Sequence, residues 1–125
     1  MRILVTGGSG FIGTNFIKRN HDNHDITLYD LVSTEDYNSN FIEGSILDYE
    51  KILDVTKEHD VIIHLAAKVG VKKTEDDLIS TLDTNILVLT IFCFTVKTRI
   101  IQSKIIFPIL AVSVPLQEIF IRFFS

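Results

Sequence analysis

The residues best suited to chemistry stand near the start, in Val5-Thr6-Gly7-Gly8-Ser9-Gly10-Phe11-Ile12-Gly13. This stretch contains Gly8-x-Gly10-x-x-Gly13 and, overlapping it, Gly7-x-x-Gly10-x-x-Gly13. Glycines at that spacing suit a pyrophosphate. The early ones take backbone angles that a sharp turn needs and other residues avoid. One at a helix start lets phosphate come up to the backbone, where free N–H groups and a partial positive charge await it. The last lets the helix pack closely on the preceding strand. A glycine triplet alone also serves purely structural turns. Here it follows an apolar run and opens a helical pattern, which is the context a dinucleotide fingerprint requires. Asp30 closes a second apolar run, 17 residues after Gly13. A carboxylate there can accept hydrogen bonds from a ribose diol and would repel a 2′-phosphate. Leu31-Val32 beyond it supply no arginine for such a phosphate. The expectation is a dinucleotide site that takes NAD in preference to NADP.

Five short strands and the helices between them must position these residues. Arg2-Ile3-Leu4-Val5-Thr6 reads as a buried strand, and Phe11, Ile12, Phe16 and Ile17 recur at roughly helical spacing up to Asn20. His21 to Asp25 is a polar loop, and Ile26-Thr27-Leu28-Tyr29-Asp30 a second strand. Residues 31–40 are polar and irregular, and Phe41-Ile42-Glu43-Gly44 is a weaker strand. Asp48 has the chemistry of an N-cap, with Ile52, Leu53 and Val55 on the helix behind it. Val61-Ile62-Ile63-His64-Leu65 is a fourth strand. Glu75 to about Thr98 reads as a helix, acidic at its start and basic at its end as the macrodipole favours. Lys104 to Leu110 is a fifth strand. Such alternation implies right-handed βαβ units and a parallel sheet.

The chain has 125 residues, 46% of them apolar, which suits a single domain. With 22% charged residues a disordered chain is not expected. A net charge of −4 argues against a dedicated nucleic-acid binder. The single cysteine, Cys93, excludes an internal disulfide framework and fits a reducing cytosol. The first residues enter directly on a strand-like run, so no signal peptide is expected. The averages conceal a split. Residues 1–85 hold 15 of the 16 acidic residues, whereas residues 86–125 hold six of the nine phenylalanines and a net charge of +3. The apolar runs Ile86 to Val96 and Ile105 to Leu116 each fall short of the roughly 20 residues a membrane-spanning helix needs. No membrane segment is expected.

The ordered set T-G-G-S-G-F-I-G, L-Y-D, E-G-S-I-L-D, V-I-I-H-L-A-A-K-V-G and D-T-N resembles the extended short-chain dehydrogenase/reductase family. These are NAD-dependent epimerases, dehydratases and reductases, acting mostly on nucleotide sugars. The likeness covers about residues 1–90. It implies an α/β fold with a Rossmann-type doubly wound parallel sheet, incomplete here at about five strands, so that residues 1–125 form one truncated NAD(P)-binding domain. By the same resemblance Gly7, Gly10, Phe11, Ile12 and Gly13 are the pyrophosphate turn, and Asp30 the ribose-binding acid. Ser45, followed by Ile46, stands where the family usually has an aspartate reaching the adenine; a serine can hydrogen-bond the amino group more weakly. Leu65, Ala66 and Ala67 match small residues beside the nicotinamide ribose, and Asn85 matches an asparagine near the active site. A helix-surface amide is the plainer reading of Asn85.

Other polar residues read simply. His21 and His24 with Asp22 and Asp25 suit a polar loop better than a metal site, and no metal is expected. His64 suits a satisfied core histidine, Lys68 a solvated loop lysine, Cys93 a small buried hydrophobe, and Glu75-Asp76-Asp77 a helix start.

The family's chemistry needs a tyrosine with a lysine four residues on, the lysine lowering the phenol's pKa. Tyr29 has Ser33 at that offset, Tyr37 has Phe41 and Tyr49 has Leu53, so no catalytic residue is assigned. Ser113 is out of register with the family's serine after the fifth strand. The expected function is therefore the NAD-binding N-terminal portion of a nucleotide-sugar epimerase or dehydratase, cytoplasmic and inactive alone. The alternatives are a non-catalytic NAD sensor or docking module, or one chain of a split enzyme. In either, the apolar C-terminal part would serve self-association or a partner chain.

Overall fold

The structure is a computed structural model, and it describes residues 1–33, 40–68, 79, 81, 83–87, 89–90 and 104–106. Five parallel strands form one sheet in the order β3-β2-β1-β4-β5. They are β1 (Arg2–Thr6), β2 (Asp25–Asp30), β3 (Asn40–Glu43), β4 (Val61–His64) and β5 (Lys104–Ile106). Helix α1 (Phe11–Asn20) joins β1 to β2, and α2 (Tyr49–Lys57) joins β3 to β4. The first strand is thus central, paired with β2 from Arg2↔Asp25 to Thr6↔Tyr29 and with β4 from Ile3↔Val61 to Thr6↔His64.

The chain travels outward through β2 and β3, then returns to lay β4 on the other side of β1. Right-handed crossovers in opposite directions put α1 and α2 on opposite faces. The core divides accordingly. Ile3, Val5, Ile26, Leu28 and Val61 pack with Ile17 of α1. Leu4, Tyr29 and Ile62 pack with Ile52 of α2 and with Ile46. Successive strand residues serve opposite faces, and both faces are covered, so these strands read as near-continuous apolar runs. This is the expected doubly wound sheet.

Local signals account for the ends of the elements. The Asp48 carboxylate accepts from the Lys51 N–H at 3.2 Å, capping α2 as its position suggested. At the opposite end of the sheet, Asp60 accepts from the Arg2 backbone N–H at 2.8 Å and from its guanidinium at 3.1 Å. The Arg2 N–H chiefly, then the guanidinium, holds the Asp60 carboxyl below the usual range. Within the helix expected from Glu75 to Thr98, Ile79, Thr81, Leu89 and Thr90 are helical, and Asp83–Leu87 is a π-helical segment. The rest of that helix, Cys93, Tyr37, residues 107–110 of the expected fifth strand, and Ser113 with the apolar C-terminal stretch lie outside the described residues. Among the described residues no helix is long and apolar enough to cross a membrane.

Leu4 is fully buried at the centre of the sheet. Leu4→Ala should lower stability by about 2–5 kcal/mol, since the surrounding strands cannot collapse into the space. Urea denaturation checks this, and an unchanged midpoint would contradict the assigned core.

Candidate dinucleotide-binding site

The order of strands reverses between β1 and β4, and in open α/β sheets ligands bind beyond the carboxyl ends of strands at such a point. The two turns that leave β1 and β4 meet there. Leu65 N–H donates to Thr6 O at 2.9 Å, extending the ladder by one rung. Gly7 follows with φ +68°, a left-handed angle that other L-residues rarely adopt. A Cβ on Gly7 would lie 2.5 Å from the Ala66 nitrogen, so the two backbones touch. Gly13 is equally constrained, because a Cβ there would lie 2.4 Å from the Gly8 oxygen.

Gly10 differs. Its φ of −76° suits any residue. An added Cβ would meet only the Gly7 oxygen, at 3.3 Å. That single contact is tight but far less severe than those at Gly7 and Gly13, so packing constrains Gly10 least of the three. The helix end is also open. No side chain caps it, and its first turn carries no acidic residue. Gly7 N–H goes to Tyr29 O, Gly10 N–H to Gly7 O and Thr14 N–H to Gly10 O. The N–H groups of Phe11, Ile12 and Gly13 are those a helix leaves without an intrahelical partner. Together with the dipole, they suit a phosphate.

Asp30 stands beside this turn at the end of β2. Its Oδ2 accepts from Ser9 N–H at 3.0 Å and its Oδ1 from Leu31 N–H at 2.7 Å. Ser9 Oγ donates to Val32 O. A carboxylate has about four acceptor positions, so two further donors, such as a diol, can be served. Ser45 Oγ accepts from Leu47 N–H at 3.2 Å, and a hydroxyl oxygen has a second acceptor position for an amino group. Ile46 is buried and packs in the core with Leu4 and Ile52. Leu65 and Ala66 are half-buried and Ala67 is exposed. The Phe11 and Ile12 side chains are also exposed.

Asn85 lies in the π-helical segment, where its side chain does specific work. Its Oδ1 accepts from Lys68 N–H at 2.7 Å and its Nδ2 donates to Lys68 O at 2.9 Å. The amide thus clamps the backbone that follows Leu65-Ala66-Ala67, which a plain surface amide would not do. Among the described residues, no group of three or more His, Cys, Asp or Glu side chains could hold a metal ion.

Two supporting contacts escaped the sequence reading, although His64 itself read as a satisfied core histidine. Tyr29 is fully buried, and its hydroxyl donates to Ser45 O at 2.9 Å, tying β2 to the loop after β3. Burial, and then the charge of Asp48, raises its pKa. The signal available was an aromatic residue directly before the strand-end acid. Thr6 Oγ1 and His64 Nδ1 lie 2.6 Å apart beneath the two turns. Burial pushes the His64 pKa down to about 4.

Residues 3–107 match the model of the NAD dependent epimerase/dehydratase family. The chain belongs to that family. Its cofactor is NAD. A dTDP-glucose 4,6-dehydratase of Mycobacterium tuberculosis is 35% identical over 100 residues, covering 70% of this chain and 30% of the relative. The UDP-glucose 4-epimerase of Brucella ovis, solved in complex with NAD, superposes with a TM-score of 0.71 at 25% identity, over 85% of this chain and 34% of that one. The UDP-glucose 4-epimerase of Thermotoga maritima, solved with UDP-glucose, gives 0.71 at 28% identity over 86% and 37%. The chain therefore spans about 30% of the length of the curated relative.

The glycines should separate experimentally. Gly7→Ala should destabilise the fold by more than about 1 kcal/mol, from its positive φ and the Ala66 contact. Gly10→Leu should cost about 1 kcal/mol, from the poorer cap and the nearby Gly7 oxygen, yet weaken NAD about tenfold or more. Thermal unfolding and calorimetry on both variants read the difference. Equal NAD affinity in Gly10→Leu and wild type would reject the turn as the pyrophosphate site.

His64 gives a pH dependence. Its folded pKa of about 4 lies below the unfolded value near 6.5. Its contribution is therefore complete above about pH 6.5 and lost as the pH falls towards 4, by about 3 kcal/mol, because the unfolded chain takes the proton first. His64→Asn should flatten the stability profile in that window. Parallel wild-type and variant profiles in urea would exclude this role.

Proposed function

We propose that residues 1–125 form the NAD-binding portion of a nucleotide-sugar epimerase or dehydratase, acting in the cytoplasm and without turnover by itself. The observation that carries this reading is the open cap of α1. No side chain caps it and no acidic residue stands in its first turn, and it lies next to Ser9, which Asp30 holds, at the strand-order reversal.

In this reading the N–H groups of Phe11, Ile12 and Gly13 bind the pyrophosphate, with Gly7 and Gly10 shaping the turn. Asp30 accepts from the adenosine ribose hydroxyls. Ser45 meets the adenine amino group, and Ile46 holds Ser45 by packing beneath it. Leu65, Ala66 and Ala67 present backbone to the nicotinamide ribose, and Asn85 fixes that backbone through Lys68. NAD, when bound, supplies a hydride acceptor. The sugar substrate class is suggested by relatives named for dTDP-glucose and UDP-glucose chemistry. A family tyrosine–lysine pair at four-residue spacing does not occur in the 125 residues. The proton transfer that must accompany hydride loss therefore has no agent here.

The test is direct. Calorimetry should show NAD binding, with NADP weaker by about tenfold or more, since Asp30 faces the 2′ position. No product should form from UDP-glucose or dTDP-glucose with NAD present. Equal affinity for NADP would remove Asp30 from the ribose site, and measurable turnover would refute inactivity.

A further inference from the structure

Asp30 does more in this fold than face a ribose. Its two carboxylate oxygens are already engaged, by Ser9 N–H at 3.0 Å and Leu31 N–H at 2.7 Å. Its own carbonyl accepts from Gly44 N–H at 2.9 Å, so β3 fixes the residue from behind. Ser9 immediately precedes Gly10, the cap of α1. The position of Ser9 therefore sets the direction in which the N–H groups of Phe11, Ile12 and Gly13 point. Gly7 and Gly10 are held by backbone carbonyls. Ser9 N–H is held by a side chain, 21 residues further on.

We propose that Asp30 is a positioning residue for the pyrophosphate turn, so that one carboxylate couples the ribose and phosphate halves of the site. This rests on reading the turn as an NAD site. The electrostatics make the idea separable from simple ribose recognition. Removing a negative charge beside an anion site should by itself strengthen anion binding. A residue that only reads the ribose would thus leave inorganic pyrophosphate unchanged or bound more tightly when replaced. A residue that holds the turn would do the opposite. Asp30→Ala loses both the charge and the Ser9 bond. Asp30→Asn loses the charge but can turn its amide oxygen to Ser9.

The experiment titrates wild type, Asp30→Ala and Asp30→Asn with inorganic pyrophosphate and with ADP, following amide signals by NMR. Asp30→Ala should weaken pyrophosphate about threefold or more despite the favourable charge change, and ADP about tenfold or more. Asp30→Asn should restore pyrophosphate binding to the wild-type level or better while ADP stays weakened. Amide exchange should show Ser9 losing protection in Asp30→Ala while Leu4 keeps its own. Pyrophosphate bound as tightly or more tightly by Asp30→Ala, with ADP weakened, would overturn the positioning role and leave the NAD reading intact. Wild type that binds neither ADP nor NAD would overturn both. If Asp30→Ala does not fold, the ligand-free wild type decides: a Ser9 amide exchanging as fast as an exposed one rules the proposal out.

Discussion

The approach of Gly7 to the backbone of Ala66 is the contact on which the site depends. It brings together the ends of β1 and β4, nearly 60 residues apart in the chain and paired from Ile3↔Val61 to Thr6↔His64. The contact is backbone against backbone, with a hypothetical Cβ only 2.5 Å from a nitrogen. No side-chain rearrangement can relieve such crowding. It follows from the strand order, because β1 and β4 are hydrogen-bonded neighbours. Strand-order reversals of this kind are where open α/β sheets bind ligands, beyond the carboxyl ends of the strands.

Around that contact the site divides by the kind of group that builds it. In the proposed site the phosphate end would be made of backbone N–H groups at the cap of α1, where the macrodipole acts with them. The proposed adenosine end would depend on side chains at the end of β2, where Tyr29 bonds the Ser45 carbonyl and Asp30 bonds the Ser9 N–H. The proposed nicotinamide end would again be backbone, next to Lys68, which the Asn85 amide clamps. Each bond contributes only about 1 kcal/mol net. Their effect is to place N–H groups before a ligand arrives, which lowers the ordering cost of binding.

The sequence carried these levels unequally. β1, β2, β4 and α1 were legible because burial on both faces leaves apolar runs, and because the glycines punctuate them. The β2 and β3 starts differ from expectation by one residue, Asp25 and Asn40, both polar residues drawn into the ladder by their neighbours. The glycine turn and Asp30 were legible as chemistry, since their spacing follows from local geometry. The Asn85–Lys68 clamp, the Thr6–His64 pair and the Tyr29–Ser45 bond were not. Each joins residues 16 to 58 positions apart, and no local period encodes such pairs. His64 was readable only as a core histidine. What its partner is depends on the β1–β4 register.

The same division explains why glycines of one motif carry different information. Gly7 and Gly13 are glycines because the protein's own atoms fill the space a side chain would need. Their identity reports the fold. Gly10 has an ordinary φ, and an added Cβ would press on the Gly7 oxygen alone, at 3.3 Å, so its identity reports the fold least. A purely structural tight turn would need the first two and could accept a larger residue at the third. Retaining glycine at an unconstrained helix cap has a cost, since serine, aspartate or asparagine there would each cap α1 better. A side-chain oxygen in that place would also occupy the N–H groups and oppose an incoming anion. The uncapped end of α1 is thus stability forgone at the point where, in the proposed site, a phosphate would restore it.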